Sequence, residues 1–146
     1  MEIAVPGSSD RRWLALRCRL WPGSEAEHLR YMADAVARGH FVRLAIAADG
    51  SGIGLVEASK RVDYVNGTSS SPVAFLEGLY VEPASRRTGV ARALVAAVEA
   101  WARAEGCTEL ASDSPLENTQ AHAVHRALGF VETERVVYFC RTLQRT

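Results

Sequence analysis

Apolar residues recur every three or four positions in the first quarter of the chain, which is the spacing of helices packed on a core. Residues 9–21 predict a first helix that ends at Pro22-Gly23. Its inner face would carry Trp13, Leu16, Arg17 and Leu20. Ser24 and Glu27 form a capping-box pattern, so a second helix is predicted to begin there and to end at Gly39. Its inner stripe is predicted to be Leu29, Met32, Ala33 and Val36.

From Phe41 onward apolar residues alternate with polar ones and β-branched residues become frequent, which is typical of strands. Three strands are predicted, and they read FVRLAIAA (41–48), IGLVEASKRVDYV (53–65) and VAFLEGLYV (73–81). Their connections are short and rich in Gly, Ser, Asn and Asp. The three strands are therefore expected to form an antiparallel meander.

The second half of the chain returns to the helical spacing and then mixes both patterns. A helix is predicted between the turn at 83–88 and Gly106, with an inner stripe of Val90, Leu94, Val98 and Trp101. A short strand at 108–112, a helix at 117–128 and a final strand at 131–141 follow. Together these elements predict an α+β fold in a single domain over residues 1–146. Its central twisted sheet would be mostly antiparallel with one local parallel step, flanked by about four helices.

Composition excludes several classes of function. The chain has 17 basic and 17 acidic side chains, so its formal charge is zero, and 48% of its residues are hydrophobic. A chain with this many apolar residues is expected to fold, and its zero net charge provides no general electrostatic attraction to nucleic acid. No apolar run approaches the roughly 18 residues of a membrane helix, and charged residues interrupt the N-terminus at 10–12. A cytoplasmic protein without a membrane partner is expected.

The potential metal ligands are too dispersed to predict a metal site. Cys18, Cys107 and Cys140 lie far apart without a C-x-x-C pair, so they are expected to be reduced and buried. His122 and His125 lie three residues apart on a predicted helix, but no third ligand and no HExxH motif accompany them. No metal is therefore predicted.

The most informative segment is the turn that joins the strand at 73–81 to the long helix. It reads Arg86-Arg87-Thr88-Gly89-Val90-Ala91. A helix N-terminus offers unpaired N–H groups and a positive dipole end, Gly89 permits close approach, and arginines add charge-assisted bonds. The segment therefore suits a pyrophosphate, although an arginine-rich surface turn would have the same composition. It is neither a Walker loop nor a Rossmann fingerprint.

This turn resembles the R/Q-x-x-G-x-G/A signature of the GNAT acyltransferase superfamily. Asn118 with Ala121, followed by Arg126-Ala127-Leu128-Gly129-Phe130, is similar to the superfamily's second motif. A closer resemblance to the aminoglycoside 6′-N-acetyltransferases runs through most of the chain. It is carried by WLALRCRLWP (13–22), EASKRVDYVNGT (57–68), SPVAFLEGLYVEP (71–83), ELASD (109–113), ALGF (127–130) and ETERVVYF (132–139).

The resemblance implies a GNAT-like fold and transfer of acetyl from acetyl-CoA to the 6′-amine of an aminoglycoside. The implied cofactor-binding residues are Leu79, Tyr80, Val81, Arg86, Arg87, Thr88, Gly89, Val90, Ala91, Asn118 and His125. The implied acceptor-binding residues are Trp21, Tyr64, Glu77 and Asp113. It also implies a homodimer, and the predicted last strand, apolar on both faces, agrees with that state.

Two acidic residues carry the acceptor hypothesis, and each has an alternative. Glu77 interrupts an apolar strand, where a carboxylate is costly to bury unless it is paired, and Gly78 beside it would open space for a cleft. It could instead point to the solvent side of the strand. Asp113 ends a strand, as ligand residues often do, but it could also cap the next helix. Chemistry alone favours the cap, whereas the resemblance favours contact with a substrate amine.

The implied reaction is direct, without an acyl-enzyme. Glu77 would take the proton of the amine, directly or through water, and N–H groups near Leu79 to Val81 would hold the thioester oxygen. His125 replaces the tyrosine that many superfamily members use to protonate the thiolate. The proton donor is thus open between His125, Tyr138 and unassisted departure. A GNAT enzyme acting on a polyamine or a protein N-terminus, and a non-catalytic CoA-binding module, are the rival functions.

Overall fold

A computed structural model of the chain describes residues 1–145. Its elements, in order, are β1 (Glu2–Ala4), α1 (Arg11–Leu20), α2 (Glu25–Ala37), β2 (Phe41–Ile46), β3 (Gly52–Arg61), β4 (Val73–Val81), α3 (Val90–Ala104), β5 (Leu110–Ser112) and α4 (Thr119–Ala127). A short 3₁₀ turn, Pro83–Ser85, lies between β4 and α3.

The five strands form one sheet in the order β1-β2-β3-β4-β5. Neighbours from β1 to β4 pair antiparallel, whereas β4 and β5 pair parallel across the α3 connection. The α+β fold with one parallel step is therefore confirmed. The parallel pairing is short, since it joins only Ala74, Phe75 and Leu76 to Leu110, Ala111 and Ser112.

Side-chain caps fix the starts of the first two helices. The Asp10 carboxylate accepts from the Arg12 N–H at 2.9 Å, and the Ser24 hydroxyl accepts from the Glu27 N–H at 3.1 Å. Gly39, at φ +72°, ends α2 as predicted. The predicted inner stripe of α2 is confirmed for Met32, which is buried, and for Leu29, which is half-buried against the core, but it is wrong for Ala33 and Val36, which are exposed. The residues that α2 buries are His28, Met32 and Ala35, because the helix turns this polar histidine inward toward α1.

The sheet is covered on both faces within residues 1–113. α1 and α2 cover one face with a cluster that includes Trp13, Leu16, Met32, Leu44 and Leu55. α3 covers the other, where a Cβ built at Gly54 would meet Val90 and Leu94. Each fully buried aliphatic side chain contributes about 1.5–3 kcal/mol to folding. The predicted α3 stripe is confirmed for Val90, Leu94 and Val98, which are buried.

Residues 1–113 form one compact unit, and the chain from Ser114 onward forms a second. α4 belongs to the second unit. The single domain over 1–146 stays a prediction.

The predicted last strand is wrong. Residues 130–145 have no regular secondary structure, and the exposed fractions of Tyr138 and Phe139 are 82% and 91%. The five-stranded sheet gives this segment no ladder partner within the described chain. A run of β-forming residues becomes a strand only where a neighbouring strand accepts its hydrogen bonds, and composition does not supply one.

The cysteines are free, as predicted, but only one is buried. Cys107 packs in the core, whereas Cys18 and Cys140 are exposed. Cys18 lies on the outer side of α1, next to the buried Arg17, so the helix period itself turns it to solvent. Among residues 1–145, no helix is both long and apolar enough to cross a membrane.

Candidate active site

The turn between β4 and α3 has the geometry of an anion site. Gly89 is the N-cap of the 15-residue α3 and adopts φ +90°, a left-handed conformation that favours glycine. A Cβ built there would meet no heavy atom within 4 Å, so the space above the helix N-terminus is open. Arg87 also has positive φ, at +61°, which is strained for a residue with a side chain.

Some side chains of the turn hold it in shape, whereas other groups are available to bind a ligand. Arg86 Nε donates to the Val81 carbonyl at 2.9 Å, and the Thr88 hydroxyl donates to the Ser85 carbonyl. Both therefore hold the turn in shape. The Val90 side chain is buried, so its main-chain N–H is the part that can face a ligand. Arg87 is exposed at the open end of α3. The turn fits a phosphate or pyrophosphate group.

Upstream of this turn, one edge of β4 is open. The pairing of β4 with β5 stops at Leu76, whereas β4 continues to Val81. The Glu82 N–H donates to the Ile53 carbonyl of the β3 side. Because successive N–H groups along a strand point to opposite sides, the N–H groups of Leu79 and Val81 point away from β3. The Val81 carbonyl, which Arg86 engages, points the same way. Two donors are thus directed at an edge where a polarised carbonyl oxygen could sit.

Glu77 lies at an irregularity in this strand. Glu57 pairs with Gly78 and Ala58 pairs with Leu76, so Glu77 is an extra residue on β4 and forms a bulge. Bulges re-aim side chains, and they are frequent beside active sites. The Glu77 carboxylate accepts from Ser59 Oγ at 2.6 Å and from Arg61 Nη2 at 2.9 and 3.2 Å. Its side chain is 24% exposed, so the predicted choice between burial and solvent resolves into a paired, half-buried carboxylate.

The space expected at Gly78 is filled. A Cβ built at Gly78 would lie 2.3 Å from Trp21 Cη2 and 2.8 Å from Leu20 Cδ2. Gly78 therefore makes room for the Trp21 indole and does not open a vacant cleft. Trp21 is the C-cap of α1 and is half-buried. The structure thus places the Trp21 ring over Gly78, the residue next to Glu77 on β4.

A buried charged cluster, which sequence reasoning did not assign, lies beneath them. Trp13 Nε1 and Arg17 Nε donate to Glu57 Oε2 at 2.9 and 3.1 Å. Burial raises the pKa of the Glu57 carboxyl above its ordinary value, and this outweighs the opposite effects of Trp13 and Arg17. The signals for this cluster were Arg17 on the apolar face of α1 and a carboxylate between Leu55 and Ser59 on an alternating strand.

The remaining predicted acceptor residues lie farther along the unit. Tyr64 is 74% exposed on the loop that leads into β4, at the opposite end of β4 from the turn at 86–91. It lines a shallow depression with Asp63, Thr68 and Ser70. Asp113 is exposed directly after β5. Asp113 does not cap α4, because Asn118 does so by accepting from the Ala121 N–H at 3.0 Å.

The second unit holds the other predicted residues. Asn118 uses its side-chain oxygen as that cap. His125 Nδ1 lies 2.7 Å from the Ala121 carbonyl, which can only accept, so Nδ1 carries the ring proton in the neutral imidazole. The ring of Phe130 lies edge-on to His125 at 5.3 Å. Tyr138 is exposed. Within residues 1–145, no group of three or more His, Cys, Asp or Glu side chains could hold a metal ion.

Comparison with known proteins agrees with this geometry. Residues 10–130 match the Acetyltransferase (GNAT) family. The chain is 52% identical over 144 residues to the aminoglycoside N(6′)-acetyltransferase type 1 of Acinetobacter baumannii, which covers 98% of this chain and 97% of the relative. The crystal structure of aminoglycoside antibiotic 6′-N-acetyltransferase AAC(6′)-Ih from the same species superposes with a TM-score of 0.95, at 48% identity over 98% of this chain and 99% of that one.

A third similar protein was solved with a ligand. AAC(6′)-Iy in complex with the bisubstrate analog CoA-S-monomethyl-acetylneamine has a TM-score of 0.90 and 44% identity, covering 97% of this chain and 98% of that one. The resemblance carried by the turn at 86–91 is thereby confirmed. With these matches over nearly its whole length, the chain belongs to the GNAT acetyltransferase family.

Proposed function

We propose that this protein transfers acetyl from acetyl-CoA to the 6′-amine of aminoglycosides by direct attack, which inactivates the drug and confers resistance. The observation that carries the proposal is the continuity of three features along β4. Glu77 sits in a bulge, the N–H groups of Leu79 and Val81 face an open edge, and the strand leads directly into the Gly89 turn. The names of the similar enzymes support the same acceptor.

The coenzyme would lie along the β4 edge with its pyrophosphate at the start of α3. Main-chain N–H groups from Thr88 to Ala91 and the Arg87 guanidinium would hold the phosphates. The open space above Gly89 and its distance from bulky neighbours support this placement. Tyr80 and Arg86 would border the pantetheine path, since Arg86 already contacts the Val81 carbonyl there. Acetyl-CoA supplies a thioester whose carbonyl carbon accepts the amine.

The acceptor would lie against Trp21 on the α1 side of β4. An aminoglycoside is a polycation, so it needs carboxylates beside an apolar wall. Glu77, Trp21, Asp113 and Tyr64 provide these chemical groups. Glu77 is paired with Arg61, and an arriving ammonium group would compete for the same carboxylate. Binding of the drug therefore involves an exchange of cations at Glu77.

The chemistry consists of one bond formed and one bond broken. The 6′-ammonium loses a proton to Glu77, directly or through water, and the amine nitrogen then forms a bond to the thioester carbon. Negative charge on the thioester oxygen is held by the N–H groups of Leu79 and Val81. The C–S bond breaks, and CoA leaves as a thiolate. Holding both substrates in line supplies much of the rate enhancement.

The thiolate proton has three candidate sources. His125 could donate from Nε2 only as an imidazolium, because its Nδ1 proton is bound to the Ala121 carbonyl in the neutral ring. Tyr138 could donate its hydroxyl proton, and the thiolate could also leave unassisted, since its free pKa near 8.5 is low. These alternatives remain part of the proposal.

The proposed state is a cytoplasmic homodimer. The segment 131–143 supports the dimer, because it exposes Val131, Val136, Val137, Tyr138, Phe139 and Leu143. Such an apolar segment is a typical site of association. Sedimentation at micromolar concentration should give the dimer mass, and Val137→Ser with Phe139→Ser should give a monomer. A wild-type monomer would contradict this part of the proposal.

Release of free thiol from acetyl-CoA separates the proposal from its rivals. Fast release with tobramycin and slow release with spermidine or an N-terminal peptide is expected. Faster release with spermidine or the peptide would favour another GNAT acceptor, and coenzyme binding without release would favour a non-catalytic module.

A further inference from the structure

We propose that Arg17 is a positioning residue for the acceptor site, which fixes the Trp21 indole over Gly78 beside Glu77. This inference rests on the proposed function, because it takes Trp21 as part of the acceptor wall. The Arg17 guanidinium carbon lies 4.6 Å from the centroid of the Trp21 ring and 3.7 Å from that of Tyr31. Arg17 is 8% exposed. The guanidinium thus contacts two aromatic rings inside the protein.

The guanidinium is also held by polar side chains on two other elements, β3 and α2. Glu57 on β3 accepts from Arg17 Nε at 3.1 Å, and Trp13 on α1 donates to the same carboxylate oxygen. His28 on α2 lies 2.6 Å from Arg17 Nη1. A guanidinium can only donate, so His28 Nδ1 accepts and its ring proton resides on Nε2. Arg17 therefore has one defined orientation, and its plane offers a fixed face to Trp21.

Trp21 lies where α1 ends, and its ring lies against both the Arg17 guanidinium and Gly78. It is the C-cap residue of α1, in extended conformation, and Pro22 and Gly23 follow it. The far edge of its indole lies over Gly78, the neighbour of the bulged Glu77. A shift of the ring would therefore move the surface next to the carboxylate that takes the amine proton. Arg17 would therefore determine the position of that surface through Trp21, without touching the substrate.

The cluster is poorly explained as a device for stability alone. Burying Glu57 and Arg17 costs desolvation that their attraction only partly offsets, and well-packed apolar residues of similar volume often do as well. One Glu57 oxygen and His28 Nε2 are buried without a hydrogen-bond partner within residues 1–145. What a guanidinium adds over an apolar side chain is a rigid plane that stacks on aromatic rings at a defined angle.

The test is Arg17→Lys, which keeps the charge near Glu57 but removes the planar stack. The KM for tobramycin should rise about tenfold, whereas the KM for acetyl-CoA should change by less than about twofold. Arg43→Lys is the matched control. Arg43 is partly buried and, like Arg17, lies over an aromatic ring, that of Phe41 at 4.1 Å, but it lies on β2 and should leave both KM values unchanged.

A double-mutant cycle with Trp21→Ala shows whether Arg17 acts through Trp21. If it does, Arg17→Lys should have no further effect on the tobramycin KM in the Trp21→Ala background. Additive effects would overturn the inference. A wild-type KM for Trp21→Ala alone, with fast turnover retained, would remove Trp21 from the acceptor wall and overturn it as well, while leaving acetyl transfer to the drug intact. Absence of turnover in the wild type would instead refute the proposed function.

Fluorine NMR gives a readout that does not depend on activity. The chain contains three tryptophans, so 5-fluorotryptophan labelling should give three resonances. Arg17→Lys should shift or broaden the Trp21 resonance, assigned with Trp21→Phe, and leave that of Trp101 in place. An unchanged Trp21 resonance would overturn the inference. If Arg17→Lys does not fold, Tyr31→Leu removes one ring and keeps the Arg17–Glu57 ion pair. It should raise the tobramycin KM about threefold, and no change would equally overturn the inference.

Discussion

The edge of the Trp21 indole occupies the place that a side chain at residue 78 would need. The Cβ of any such side chain would lie 2.3 Å from Trp21 Cη2 and 2.5 Å from Cζ2, so residue 78 must be glycine for the ring to stay where it is. Because Gly78 adjoins the Glu77 bulge, the aromatic wall and the carboxylate are set by the same two residues of β4. Their geometry is therefore coupled.

Gly78→Ala should consequently affect drug binding more than coenzyme binding. The new methyl group has to displace Trp21 and Leu20, and overpacking of this kind costs about 1–3 kcal/mol of stability. We expect a lower melting temperature, a raised tobramycin KM and an unchanged acetyl-CoA KM. Gly7→Ala is the control, since a Cβ at Gly7 meets nothing within 4 Å. Equal behaviour of the two variants would mean that the contact is unimportant.

Gly89→Asp should abolish acetyl-CoA binding and leave the fold intact. It places bulk and negative charge where the pyrophosphate would lie, at the positive end of α3. Gly106→Asp is a matched control at the other end of the same helix. Gly106 also has positive φ, +81° against +90°, and equally open space, so both variants carry similar backbone strain. Calorimetric titration should show loss of affinity only for Gly89→Asp, and unchanged affinity would refute the phosphate turn.

Glu77→Gln should lower kcat/KM for tobramycin about ten- to a hundredfold, or about 1.5–3 kcal/mol, mainly through kcat if Glu77 takes the proton. Asp113→Asn should instead act mainly through the drug KM. Glu105→Gln is the control, because Glu105 is another carboxylate paired with a β3 cation, Lys60, at 3.2 Å. Coenzyme affinity should stay the same in all three. Wild-type kinetics in both Glu77→Gln and Asp113→Asn would contradict the assignment of these two carboxylates to the acceptor site.

Glu57 should make stability depend on pH. Burial raises its pKa, so the folded state binds this proton more tightly than the unfolded chain and loses stability as pH rises through the shifted interval. Gln at this position cannot titrate. The free energy of unfolding of the wild type minus that of Glu57→Gln should therefore be smaller at about pH 7 than at about pH 4, near the ordinary pKa of a glutamate. Urea denaturation at both pH values tests this, and a difference that rises with pH would contradict it.

Local sequence signals predicted most of the fold because each depends on near neighbours in the chain. Ser24 caps α2, Gly39 and Gly106 follow their helices at positive φ, and β4 has the predicted bounds. The prediction of the last strand was wrong because strand pairing depends on residues that are distant in the chain. Residues 131–141 have the composition of a strand, but a ladder partner is a property of the tertiary or quaternary structure.

The part of the candidate site that lies within one turn could be predicted from a sequence motif. The parts formed by contacts between distant elements could not. The RRTGVA turn was found directly. The function of Gly78 was misread, because the side chain that fills its space comes from α1. Glu57 and Arg17, which lie 40 residues apart in the chain, likewise became a pair only in the structure. Period and composition identify such residues as unusual but do not identify their partners.

The central claim is acetyl transfer to one particular amine, and a pair of substrates tests it most directly. Neomycin and paromomycin differ in carrying an amine or a hydroxyl group at the 6′ position, so they match in size and shape and leave the other amines in place. With acetyl-CoA and the wild-type protein, neomycin should release free thiol rapidly and yield a product acetylated at the 6′ nitrogen, and paromomycin should release almost none. Equal rates for the two drugs, or a product acetylated at another amine, would contradict the account.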